Sequence, residues 1–210
     1  MNFENGDLFH VYNQGNNRIP VFYSPENYFL FLRKIKLHIL PHADVVAWCL
    51  MPNHFHLMLY VHTLELIIKK KIIESAKIGC NGSSVNCISQ KKLLLNDSIG
   101  TLLSSFTRAV NDQQDRTGSL FRVHTHAECL TTIDLHTPSF FDTPYGTNIN
   151  RHFPDEEYPK ICFDYIHNNP VKAGIVKDSK DWEFSSYPDY YGNRNGKLIN
   201  KKRTEEFGLI

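Results

Sequence analysis

The chain reads as an α+β protein of the ferredoxin-like sandwich type, an antiparallel sheet with helices packed on it. Three observations carry that reading. Residues 8–61 run strand, helix, strand, strand; a second amphipathic helix follows Asp97; and another strand-like stretch spans Leu120 to Cys129. The 210 residues suit one domain with insertions. A composition 41% hydrophobic and 12% aromatic supports a sizeable core and excludes general disorder.

Each element has its own signals. Leu8 to Gln14 alternates in character, with Phe9 and Val11 on one face and His10 and Tyr12 on the other, and stops at Gly15-Asn16-Asn17. Val21 to Tyr23 reads as a short continuation. Ser24 caps a helix with Pro25 at its first position and Glu26 in its first turn. Tyr28, Phe31, Leu32, Ile35 and Ile39 recur there at helical spacing, and Pro41 stops it. Val45 to Val61 is two apolar runs around Met51-Pro52-Asn53, a hairpin whose turn holds a proline that cannot donate and an asparagine that tolerates turn geometry.

Leu64 to Ile78 reads as an amphipathic helix carrying Lys69, Lys70 and Lys71, and Gly79 to Ser89 as a loop. Ile99, Leu102, Leu103, Phe106, Ala109 and Val110 mark the next helix, which ends near Gly118. Leu130 to Pro154 reads as an inserted loop, and Asp155-Glu156-Glu157 opens a last helix with Pro159 near its first turn. The organisation expected is one domain over residues 1–191, with insertions near 62–96 and 130–154, followed by a basic, flexible tail over 192–210.

A net charge of +1 gives no global pull toward nucleic acid, so any such surface must be a local basic patch. The five cysteines are odd in number and widely spaced, with no C-x-x-C. That argues against a disulfide framework or a zinc ribbon and fits a reducing compartment. Met1 to Asp7 lacks a basic region followed by an apolar run, and no apolar stretch approaches membrane-spanning length. A soluble cytoplasmic protein is expected, with no membrane partner. No Walker-type glycine loop appears, so no nucleotide cofactor is expected either.

The chemistry concentrates after the hairpin turn. His54 and His56 bracket Phe55, and residues two apart on a strand share a face, so both imidazoles point one way. Two imidazoles on one face of an apolar strand are a candidate metal site, because each buried ring nitrogen needs a partner. The plainer alternative is a pair of hydrogen-bonded histidines. A second pair, His124 and His126, competes for the same role. Further along, Tyr165 and Asn169 stand four apart, neighbours on a helix face with Cys162 and Ile166. By spacing alone these are a core tyrosine and a helix terminator before Pro170.

Asn53-His54-Phe55-His56 after an apolar strand resembles the histidine–hydrophobe–histidine motif of HUH single-strand endonucleases. The fuller phrase Trp48-Cys49-Leu50-Met51-Pro52-Asn53-His54-Phe55-His56-Leu57 is similar to single-tyrosine transposases of the insertion-sequence-200 type, especially their REP-associated relatives. Ser105-Phe106-Thr107-Arg108 with Asn111, Thr117 to Arg122, Phe163 to Val176 and Asp181 to Tyr187 resemble further parts of that family, so the likeness spans most of residues 8–191. The chain departs from the family at His124-Thr125-His126, where relatives carry basic or aromatic residues.

The resemblance implies transposition of DNA by a metal-dependent transposase, a nickase and strand transferase. Tyr165 sits where the family's nucleophile sits, and Asn169 where many relatives place a third ligand beside His54 and His56, here around Mg²⁺ or Mn²⁺. Attack by Tyr165 would link its oxygen to a DNA 5′ phosphate and free a 3′-OH, storing the bond without a nucleotide cofactor. Arg108, Asn111, Arg122, Asn168 and Lys172 are the candidate contacts to single-stranded or hairpin DNA. Family members generally act as homodimers. Two alternatives stay open: a domesticated nucleic-acid-binding protein that keeps the fold without transposase activity, and a metallohydrolase recruiting Glu128 or Asp164.

Overall fold

The computed structural model describes residues 1–73, 86–131, 139–143, 146–150 and 157–210. In chain order the strands and helices are β1 (Leu8–Gln14), α1 (Pro25–His38), β2 (Ala43–Met51), β3 (His54–Val61), β4 (Glu65–Ile73), β5 (Asn86–Leu94), α2 (Leu95–Gln113), β6 (His126–Cys129), β7 (Ser139–Thr143), β8 (Gly146–Asn150), α3 (Tyr158–Lys172), α4 (Tyr187–Tyr191) and α5 (Lys201–Glu206). Four strands form one antiparallel sheet in the order β2-β3-β1-β6. Because β3 is antiparallel to both of its neighbours, β1 and β2 are parallel to each other and joined by α1. This is the split β–α–β arrangement of a ferredoxin-like sandwich, as the element order predicted.

Side-chain alternation gives the sheet two apolar faces. Phe9 and Val11 of β1 and Phe55, Leu57, Leu59 and Val61 of β3 join Phe31, Ile35, Leu102, Phe106 and Val110 of α1 and α2 in one buried layer. Leu8, Met51 and Met58 face the other way, against Cys162, Phe163 and Ile166 of α3. In β2 the alternation breaks between Val45 and Ala47, where a bulge lets Val46 and Ala47 both turn toward α3.

The helix caps follow the local chemistry. At the start of α1, Asn27 Oδ1 reaches back to accept from the backbone N–H groups of Tyr23 (2.9 Å) and Ser24 (3.2 Å). Helix α3 continues through Pro170, so Asn169 lies inside it and does not end it. Its end is at Gly174, φ +69°, where Ile175 N–H donates to Pro170 O and Gly174 N–H to Val171 O. That pairing is a Schellman motif, which needs the left-handed conformation glycine adopts without strain.

Several expectations are corrected. Leu64 to Ile78 is not a helix over its described part: Glu65–Ile73 is a strand paired with Asn86–Leu94. Ile67, Ile68, Ile72 and Ile73 supply the reason, since β-branched side chains favour a pleated backbone over a helix. The proposed loop over Gly79–Ser89 lies outside the described residues up to 85, and its remainder belongs to β5. Within the supposed loop at 130–154, Ser139–Thr143 and Gly146–Asn150 pair as a hairpin; the rest beyond 131 lies outside the described residues, as do Asp155 and Glu156. Val21–Tyr23 forms no strand, and only His126–Cys129 of the Leu120 stretch does.

The stretch expected to be a flexible tail is held against β2. Val45 bridges Ile199, Leu209 is buried, and Arg203 both pairs with Asp44 (3.3 Å) and covers the Tyr60 ring. Upstream, Leu50 N–H donates to Phe184 O and Ser186 N–H to Trp48 O, so the outer edge of β2 is occupied by the chain's own C-terminal third. Asp189 is only 2% exposed, and it accepts from Arg194 Nε (2.6 Å), Arg194 Nη2 (2.9 Å) and Gly196 N (2.9 Å).

Phe31 is fully buried, with ring centroids of Phe55 and Phe106 each 5.0 Å away. Phe31→Ala is expected to cost about 3–5 kcal/mol in urea unfolding with an unchanged m value. Arg194→Ala leaves the Asp189 carboxylate buried without its cation and is expected to cost about 3 kcal/mol. By contrast, Lys202→Ala removes only an exposed pair with Glu206 and should cost below about 1 kcal/mol in the same assay.

Candidate active site

Strand β3 sits between β2 and β1, so its register is fixed on both sides. Phe55 and Leu57 enter the α1/α2 layer, which turns His54 and His56 toward α3. Opposite them α3 presents Tyr165, Asn169 and Lys172, spaced i, i+4 and i+7 along one helix face. Sequence-distant residues thereby converge: His54 Nε2 lies 3.4 Å from Asn169 Oδ1, and the rings of His54 and His56 are 5.0 Å apart. The Tyr165 ring stands edge-on to His56 at 5.4 Å, and Lys172 Nζ lies 5.0 Å over the Tyr165 ring.

The electrostatics of this cluster follow from burial. Burial lowers the pKa of His54 to about 4, with the bond to Asn169 acting in the opposite direction. His56 is pushed well below the usual imidazole value by burial first, then by His54 and His10. Both rings are therefore neutral at physiological pH and carry one lone pair each. His56 Nε2 and Asn169 Nδ2 are buried and have no hydrogen-bond partner among the described residues. Such unsatisfied atoms are uncommon and costly, about 1–3 kcal/mol each, and point to a missing partner.

Of the described residues, His54, His56 and the Asn169 amide oxygen are those that would hold a cation here. The fit is that of a mixed nitrogen and oxygen donor set: two neutral imidazoles, one of them with an unpartnered nitrogen, and an amide oxygen already facing His54. Among the described residues no group of three or more His, Cys, Asp or Glu converges as a metal site, and the amide oxygen of Asn169 is the oxygen donor facing His54 Nε2. Glu128 and Asp164 are paired elsewhere. Glu128 turns to His10, 3.9 Å from its Nδ1, and accepts from the Tyr158 hydroxyl at 2.6 Å. Asp164 pairs with Lys160.

Other candidates are placed differently. Asn168 accepts a hydrogen bond from Ser179 Oγ at 2.9 Å. Arg122 is exposed beside the end of β1, its N–H donating to Gln14 O. Arg108 and Asn111 lie on α2, across the sheet from Tyr165, and Asn111 Nδ2 donates to Gly118 O, bracing the turn after that helix. His126 stacks on Tyr12 at 5.1 Å, whereas His124 precedes β6, so the second histidine pair does not share a strand face. His167 faces away from Tyr165, bonding Ser186 Oγ at 2.7 Å; burial lowers its pKa to about 3.

Sequence reasoning missed His10. Its Nε2 lies 2.9 Å from His56 Nδ1, and it is 1% exposed. Alternation in β1 put it on a face with Tyr12, but only the β1–β3 register brings that face beside His56.

No protein-family profile matches this chain, and no curated protein matches it. Among solved structures it is similar to a REP-associated tyrosine transposase bound to a REP hairpin, at 16% identity and a TM-score of 0.54, over 95% of this chain and 92% of that one. At that identity the likeness is one of fold, and the two chains share it over nearly their whole lengths.

Proposed function

We propose that this protein acts in DNA transposition, as a metal-dependent transposase that nicks single-stranded or hairpin DNA and rejoins it through a phosphotyrosine at Tyr165. The observation that carries the reading is the convergence of Tyr165, His54, His56 and Asn169 from two elements more than a hundred residues apart. The fold shared with a hairpin-bound tyrosine transposase supports it.

In this reading His54, His56 and Asn169 hold one divalent ion, Mg²⁺ or Mn²⁺, which would supply Lewis acidity to the scissile phosphate. Tyr165 Oη attacks phosphorus in line as the bond to the 3′ oxygen breaks. The tyrosine gives up its proton, the 3′ oxygen gains one, and the DNA 5′ phosphate stays on the tyrosine until a 3′-OH reverses the step. A phenol's ordinary pKa of about 10 makes that deprotonation the difficult part. Lys172 places its ammonium 5.0 Å over the Tyr165 ring. Lys172, Asn168 and Arg122 are the phosphate contacts nearest to this chemistry; Arg108 and Asn111 would meet DNA only if it reached the α2 side.

Incubated with hairpin oligonucleotides from the gene's flanking DNA and Mn²⁺ or Mg²⁺, the wild-type chain is expected to form a protein–DNA adduct that survives denaturing electrophoresis. Tyr165→Phe should form none. Equal cleavage by both would remove Tyr165 from the nucleophile's role, and tight binding without cleavage would favour a domesticated DNA-binding protein. Asn169→Ala is expected to weaken Mn²⁺ binding at least about tenfold by titration, since losing even an outer-shell partner of a metal site costs that much. An unchanged Mn²⁺ affinity would exclude the amide as a ligand.

A further inference from the structure

A hydrogen bond between two imidazole nitrogens holds one proton, and the 2.9 Å contact of His10 Nε2 with His56 Nδ1 is such a bond. For neutral rings there are two arrangements. In one, His10 donates through Nε2–H, His56 accepts at Nδ1, and His56 carries its own proton on Nε2. In the other, His56 donates through Nδ1–H, His10 accepts at Nε2, and His56 Nε2 keeps a bare lone pair. Only the second leaves His56 able to ligate a cation through its buried, unpartnered nitrogen.

Among the described residues, the charge nearest to His10 favours the second. The other nitrogen of His10, Nδ1, lies 3.9 Å from Glu128 Oε2, too far for a hydrogen bond but close enough for the carboxylate's charge to favour the single proton of a neutral ring on the near nitrogen. Glu128 is itself held, since the Tyr158 hydroxyl donates to its other oxygen at 2.6 Å. With the proton on Nδ1, His10 Nε2 has only a lone pair to offer. His10 has little freedom to rearrange: it is buried in β1 and stacked on His56, centroids 5.1 Å apart and planes 21° from parallel.

We propose that Glu128 and His10 set the tautomer of His56: the charge of the carboxylate favours the His10 proton on Nδ1, His10 Nε2 accepts from His56 Nδ1–H, and His56 Nε2 is left as a lone pair for a divalent cation. His10 is thus a positioning residue acting through His56. This rests on the reading of His54, His56 and Asn169 as cation ligands.

The test is ¹⁵N NMR of the imidazoles in the metal-free full chain, followed by Mn²⁺ titration watched by electron paramagnetic resonance. The wild-type spectrum should show both His10 and His56 protonated on Nδ1. His10→Leu removes the acceptor and is expected to lose that preference at His56 and to bind Mn²⁺ about 10- to 100-fold more weakly. His10→Gln keeps an acceptor oxygen and should recover much of the affinity, which a merely space-filling role would not predict.

A wild-type His56 protonated on Nε2 overturns the proposal, as does His10→Leu with unchanged tautomer and Mn²⁺ affinity. The wild-type spectrum needs no variant, so a His10→Leu chain that fails to fold leaves the test decisive. Expected tautomers in a wild type that binds no Mn²⁺ would support the proton arrangement and overturn the cation reading instead.

Discussion

The two-residue period of β3 constrains everything around the site. Phe55, Leu57 and Leu59 lock into the α1/α2 core on one side, so His54 and His56 have no choice but the other. A slip of one residue would drive both imidazoles into the aromatic layer and turn three core side chains toward α3. Hydrogen bonding to β2 and β1 on its two edges prevents that slip. The histidines are therefore positioned by the apolar residues between them.

Helix α3 is the second half of the arrangement, and it too is fixed by residues outside the chemistry. Cys162, Phe163 and Ile166 pack on the face of the sheet that the β2 bulge widens with Val46 and Ala47. The helix extends past Pro170 to Lys172 and stops only at Gly174. Had it ended at Asn169, the lysine would not lie over the Tyr165 ring. His167, pointing the opposite way, joins α3 through Ser186 to the edge of β2. The site thus sits between two rigid elements, each anchored on its far side.

Polar groups left without partners are where this core departs from a fully satisfied one. His56 Nε2 and Asn169 Nδ2 are both buried in the same cluster, while His42, equally buried, has a partner within 2.9 Å for each ring nitrogen. Other buried polar atoms without a hydrogen-bond partner among the described residues, such as Trp48 Nε1 and Asn111 Oδ1, lie elsewhere, so it is the nearness of His56 and Asn169 to each other and to Tyr165 that singles this cluster out.

Local pattern by itself determined the elements that have strong periodicity and punctuation: β1, the capped α1, the β2–β3 hairpin and the face on which His54 and His56 lie. Those depend on residues a few positions apart, where sterics and alternation act directly. It misjudged Glu65–Ile73, because a lysine-rich stretch with β-branched neighbours satisfies either period until a partner strand appears. It also misjudged the last residues, whose charges read as solvated until Asp44 and Asp189 are found beside Arg203 and Arg194. Only the tertiary structure decided that His10 and Glu128 join the histidine pair and that Arg108 and Asn111 do not lie beside Tyr165. Cross-strand register and the side of the sheet a helix covers are set by contacts between distant segments, which no local spacing encodes.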